Sequence, residues 1–438
     1  MAAAALDLTL RDLTEPVGDT SAARKVLGLF LAKTARVFRS VPVAAVAPHN
    51  RALYQRTLGE LTAADAARSG AALALFRLPT VSAFAHCMAG QLHAGGDGLA
   101  LNRWLRALCE QVLLELAIAG RLTAPLDVGP SPAGDERLLC SPVANLAVRP
   151  AVGATVGYAN GRVTVQAGDR VVRVLLASPQ ACDSEAAQVT RPYHEIVPGF
   201  WVTDTDNNPL AMFEAHPDKQ GNRPDWGSKD PSEWVLALRL ALALVDAHLP
   251  LLGEEMRLIA RVVVAVGWDP ERHLSASYKE VIGTLYMTLH PQPMTMAEAL
   301  VHEYQHNKLN AAFHLDPLLH NAWSPLYASP VRPDPRPLHG VILAVHAFQP
   351  VARLYEAMAL AGHALAANAA WLSRFARIVQ LDRAGAATVL AHAQPTAVGK
   401  PFFDEMRRLD DHLAKLEAAR WGTAAVAGAH LDELAGHD

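Results

Sequence analysis

His302 and His306 stand four residues apart, with Glu303 beside the first of them, in a chain of 438 residues. On an α-helix that spacing puts two imidazoles on one face, where they can share one transition-metal ion. Glu303 projects about 100° around such a helix from His302, beside the ion, where a zinc peptidase uses it as a base toward bound water. With 19 histidines in the chain, an HExxH pattern can also arise by accident. Three features of its surroundings argue for a site. Thr295 and Glu298 have the spacing of a capping box, a strand-like run over residues 283–290 comes just before, and Leu300, Val301, Tyr304 and Leu309 would shield the histidines from water.

A metal needs further ligands. The metzincin extension fails, because Leu309 and Ala312 occupy its glycine and histidine positions. The downstream candidates are His314, His320, His339, His346 and Glu356. His339 and His346 are seven apart, hence on one face of a predicted helix, and Glu356 falls near that face again. His346 lies in an apolar run, between Val345 and Ala347, and is the favoured third ligand. Such a run also suits a plain core histidine. Glu356 is the gluzincin-like alternative. Between the two predicted ligand helices, a proline-rich loop carries Arg332 and Arg336. Prolines restrict its backbone, and arginine grips a carboxylate through two parallel hydrogen bonds. A solvated loop with surface arginines would read the same way. Ser275 and Ser277 add hydroxyls before the last strand.

The elements that must position these residues read as mainly α with a small antiparallel β component, an α+β class with a zincin-like metal helix beside a small sheet. Residues 1–130 form a helical N-terminal region. Residues 131–185 form a small β meander, with Asn160-Gly161 and Gly168-Asp169 as turns. Residues 186–438 form a mainly helical metal-binding region. Within it a helix runs from Pro231 to His248, strands cover 258–266 and 283–290, and a helix spans 339–363. A Pro/Gly-rich stretch over 125–136 reads as a linker, and the tail from Gly422 is expected to fray.

Half of the chain is apolar, 19% is charged, and the formal net charge is -4. That excludes a basic nucleic-acid binder and predicts a folded core. Cys87, Cys109, Cys140 and Cys182 form no CxxC pair, so neither a disulfide framework nor a thiolate zinc site is expected. No secretory leader and no membrane span are read, and a cytoplasmic location is inferred.

Several segments together resemble one family. They are Ser275 to Ser277, the run from Gly283 to His290, the run from Leu300 to Asn310 holding His302, Glu303, His306 and Lys308, Asp316 to Leu318, the loop from Arg332 to Gly340, and Val345 to Phe348. The chain is similar here to bacterial HExxH-containing peptide-modification proteins of ribosomal-peptide biosynthesis, which include iron(II)- and 2-oxoglutarate-dependent peptide β-hydroxylases. The resemblance is closest over residues 275–356 and faint in the N-terminal half. It implies that His302 and His306 hold iron(II), that Glu303 is a ligand or orients one, and that Arg332 and Arg336 lie where 2-oxoglutarate docks. His346 stands where some relatives carry tyrosine. The implied partners are a precursor peptide, 2-oxoglutarate and dioxygen, with β-hydroxylation of a side chain as the reaction. The alternative is a zinc metallopeptidase of the gluzincin type.

Overall fold

The computed structural model describes residues 10–95, 98–131, 136–212 and 221–421. Helices α1 (Ser21–Arg39), α2 (Pro48–Ala67), α3 (Ala71–Phe76), α4 (Pro79–Ala94) and α5 (Gly98–Ile118) open the chain. Helix α5 is apolar on most sides and carries Leu105, Leu108, Val112, Leu113 and Leu116 into the core.

Short strands follow: β1 (Leu126–Val128), β2 (Leu139–Ser141), β3 (Leu146–Pro150), β4 (Thr155–Ala159), β5 (Arg162–Ala167), β6 (Arg170–Leu175), β7 (Cys182–Asp183) and β8 (Ala187–Thr190). They make two antiparallel sheets, ordered β1-β4-β5-β6 and β2-β3-β8-β7. The meander expected from sequence is β4-β5-β6, turning at Gly161 and Gly168, whose φ angles of 73° and 55° suit glycine. The stretch read as a linker contains β1, which pairs with β4.

Next come β9 (His194–Val197), β10 (Phe200–Thr203), α6 (Pro231–His248), α7 (Pro250–Ile259), β11 (Val262–Trp268), β12 (Ser275–Ala276) and β13 (Thr284–Leu289). They build a sheet ordered β12-β13-β11-β10-β9. This sheet is mixed rather than antiparallel throughout: β10 pairs with β11, and β11 with β13, in parallel. Strand β13 is buried along its whole length, Thr284 and Thr288 included, which reflects cover on both faces. The strand expected over 258–266 begins later, because α7 carries the chain in helical form to Ile259.

The remaining elements are α8 (Pro293–Phe313), β14 (Leu326–Tyr327), β15 (Arg336–Pro337), α9 (Leu338–Leu360), α10 (Ala369–His392) and α11 (Lys400–Trp421). The fold is α+β and mainly helical. One hydrophobic cluster runs from Leu10 to Leu413, so the three regions distinguished by sequence share a core. Among the described residues no helix is long and apolar enough to cross a membrane. The tail from Gly422 lies outside the described residues.

Candidate metal centre

Helix α8 starts two residues before the capping box read from sequence. Pro293 opens it, Gln292 is the N-cap, and no side chain caps it. Proline suits this first position, where its missing N–H leaves no bond unmade. Glu298 is engaged elsewhere: it pairs with Arg374 at 2.8 Å and accepts from the Tyr355 hydroxyl.

Four side chains fix the rotation of α8. The Lys308 ammonium pairs with Glu255 of α7 at 2.8 Å, and the Tyr304 hydroxyl donates to the same carboxylate at 3.0 Å. The Gln305 amide donates to the Thr14 carbonyl at 2.9 Å. Asn307 accepts from the Gly283 N–H at 2.6 Å and donates to the Thr284 carbonyl at 3.2 Å, which ties α8 to the start of β13. With residues 304, 305, 307 and 308 turned into the protein, His302, Glu303, His306 and Asn310 are left to line a cleft.

The cleft has a volume of about 440 Å³ and brings together most of the residues picked from sequence. The His302 and His306 rings lie 4.4 Å apart, edge to face. Glu303, Ser275, Ser277, Arg332 and Arg336 share the same walls. The Oε2 of Glu303, the Nδ1 of His306 and the Oγ of Ser277 are buried without protein partners. Burial lowers the His306 pKa, opposed by the neighbouring Glu303. The imidazole is thus neutral near neutral pH, the form that ligates metals. Arg336 pairs with Asp334 at 2.8 Å, within its own loop.

The two candidates for a third ligand are elsewhere. His346 is fully buried, and its ring packs 5.7 Å from that of Phe402 in α11. Phe348, two residues on, is the side chain that meets His302, at 4.8 Å. Side chains two apart on a helix diverge by about 200°, so His346 turns away from the cleft. His346 shares α9 with His339 but does not line the cleft, and both its ring nitrogens are buried without a protein partner. Glu356 is bound up with Arg353 and with His412, the latter at 2.8 Å, and does not line the cleft either.

Of the other downstream histidines, His320 is exposed, and His314 bonds the Lys279 carbonyl at 2.6 Å. His339 does line the cleft, stacked between Phe313 and Trp323 with both centroid distances 4.4 Å. Burial, reinforced by Lys279 and His306, pushes its pKa down to about 4. Among the described residues no three His, Cys, Asp or Glu side chains converge as a ready-made ligand set. What the chain offers a metal is the His302–His306 pair, with Glu303 alongside and His339 in the same cleft. Two imidazoles on one helix face, one with an orphaned ring nitrogen, fit a transition-metal ion with coordination positions to spare.

Sequence reading passed over Lys279, Asn310 and Ser329, which also line the cleft. Lys279 follows Ser277 by two residues, and nothing in its spacing set it apart. No protein-family model matches the chain, and no curated protein is significantly similar to it.

Proposed function

We propose that the protein is an iron(II)- and 2-oxoglutarate-dependent hydroxylase that acts on the β-carbon of a side chain in a ribosomally made precursor peptide, in the cytoplasm. The observation that carries this reading is that His302 and His306 share one cleft with two arginines, Arg332 and Arg336. A two-histidine site leaves room for a bidentate 2-oxo acid, and an arginine is the natural grip for its far carboxylate. When bound, iron(II) with 2-oxoglutarate and dioxygen supplies an oxidant that converts C–H to C–OH, with succinate and carbon dioxide as coproducts.

The chain's own residues hold and shield. His302 and His306 would bind the ion. Glu303, whose Oε2 has no protein partner, would complete the site or orient what binds there. The orphaned Ser277 hydroxyl would donate to an oxygen of the cosubstrate, with Ser275 on the same wall. Phe348 packs edge-on against the His302 ring and helps fix its orientation.

The zinc peptidase reading has one observation in its favour. An unpartnered Glu303 carboxylate is what a general base toward bound water requires. Against it, the carboxylate that would complete a gluzincin site, Glu356, is held by Arg353 and His412.

The test is incubation of the purified protein with iron(II), 2-oxoglutarate, dioxygen and a short peptide encoded beside its gene. The proposal expects succinate formation that needs iron and oxygen, and a peptide mass increase of one oxygen atom. Zinc-dependent cleavage of peptide bonds with no consumption of 2-oxoglutarate would overturn it.

A further inference from the structure

A second cleft, of about 550 Å³, meets the first at His302 and Ser275, which line both. The two differ in chemistry. The first presents Arg332, Arg336 and Lys279, the cations a dianionic cosubstrate needs. The second is lined by Met294, Ala299, Phe348, Val351, Tyr355 and Trp371, contributed by α8, α9 and α10. All six are buried side chains of the core that turn part of their surface to this cleft. Tyr355 and Trp371 stack with centroids 4.6 Å apart, and Phe348 sits against His302.

The charges among these residues answer each other. Arg374 grips Glu298 through two nitrogens, at 2.8 and 3.1 Å, and the Tyr355 hydroxyl donates to the other carboxylate oxygen. Glu298 is therefore neutralised within the protein. Because Glu298 and Arg374 are committed to each other, a ligand carboxylate or ammonium entering here would have to displace that pair or rely on the imidazoles of His273 and His290, whereas an apolar side chain would gain by burial. The acidic Glu271 stands at the exposed rim.

One wall is a strand edge. Strand β12 is the outermost strand of the mixed sheet, paired on one side to β13 through Ser275 opposite Met287 and Ala276 opposite Tyr286. Its Ser275 lies where the two clefts join. An extended backbone laid along such an edge points alternate side chains into the adjoining cleft.

From this arrangement we infer that the second cleft is the acceptor subsite, and that it takes an aliphatic or aromatic side chain of an extended peptide, delivered to the face of His302 opposite the arginines. This rests on the proposed function for the identity of the reaction, though not for the binding preference.

The test uses blocked pentapeptides, acetyl-Gly-Ser-X-Ser-Gly-amide, with X as Leu, Phe, Asp or Lys. Binding to the iron(II)-loaded protein is measured by calorimetry without oxygen, and metal content is assayed on the same samples. Leu and Phe peptides should bind about tenfold or more tighter than Asp and Lys peptides, a difference of about 1.4 kcal/mol. Ala370→Trp, at an exposed position on the cleft's mouth, should abolish that preference and leave metal content unchanged. Equal or tighter binding of the Asp or Lys peptide would overturn the inference, as would an Ala370→Trp protein that keeps the full preference. A protein that prefers apolar peptides yet holds no iron would support this subsite and remove the oxygenase reading. One that holds iron and consumes 2-oxoglutarate without the preference would do the reverse.

Discussion

Lys308 and Glu255 form an ion pair of 2.8 Å in which both side chains are fully buried, directly beneath the helix that carries His302 and His306. The Tyr304 hydroxyl donates to the same carboxylate, so the pair fixes how α8 is turned. Removing one partner strands a buried charge, which costs about 3–5 kcal/mol. Lys308→Met should therefore lower the urea midpoint severely. Lys308→Met combined with Glu255→Gln removes both charges and keeps an acceptor for Tyr304, so it should recover most of the loss. A double variant no more stable than the single one would show that the pair is not what holds α8.

His302→Ala and His306→Ala should each abolish stoichiometric metal while leaving the fold intact, because both side chains face a cleft rather than the core. His346→Ala should do the opposite. It removes a buried ring packed on Phe402, so it should reduce stability by about 1–3 kcal/mol and leave metal content unchanged. Glu356→Gln should also keep the metal. The readouts are metal analysis and thermal unfolding on the same preparations. Loss of metal from the His346 variant at full stability would return that residue to the site.

These contrasts show what was legible beforehand. The helix and its HExxH face could be read because helical periodicity is local, and residues 302 and 306 need no partner to share a face. The α+β class followed from the change of period after residue 125. The parallel pairing in the mixed sheet could not be read, because β10 and β11 are joined through two helices and their pairing is a long-range choice. His346 does not line the cleft, for a related reason. Spacing gives the face of α9 but not how far along it α8 crosses, and Phe348 and Leu343 turned out to lie nearer the crossing. Glu298 was read as a local cap, yet a distant arginine on α10 claims it.

Glu115 should contribute a loss of stability as pH rises from mildly acidic to neutral, opposed by buried histidines such as His339, whose lowered pKa favours the folded state as pH rises. Glu115 on α5 is buried, its Oε1 has no partner, and burial raises its pKa from 4.5 to about 7, opposed by a hydrogen bond with Ser141. A carboxyl whose folded pKa is raised binds its proton more tightly in the native state. Its stabilisation is full below the unfolded value of 4.5 and is lost as pH climbs through about 7. One fully buried group shifted this far contributes on the order of 3 kcal/mol across that window. Glu115→Gln mimics the protonated form, so it should flatten the profile and gain stability relative to the native protein near about pH 8. Urea unfolding at both ends of the window measures this. An unchanged pH slope in the variant would mean that Glu115 does not titrate there.

The arginines decide between the two chemistries. Both Arg332 and Arg336 line the cleft with the histidine pair, and a 2-oxo acid held at the metal must leave its distal carboxylate within reach of a cation. Arg336 already pairs with Asp334, so binding there must compete with a carboxylate of the same loop, and its side chain is about three-tenths exposed. That competition lowers the expected loss on removing Arg336. Losing a charge-assisted, partly buried pair costs about 2–5 kcal/mol, roughly 30-fold or more in affinity. One of Arg332→Ala and Arg336→Ala should thus raise the 2-oxoglutarate requirement by about that factor and leave metal content intact. If Arg336 is the grip, Asp334→Asn should lower the requirement by freeing it, and if Arg332 is, Asp334→Asn should change little. Titrations of succinate formation against 2-oxoglutarate, run beside metal assays, distinguish these outcomes. Should both arginine variants keep the native requirement, the cleft's cations serve another ligand, and the oxygenase reading loses the observation that carries it.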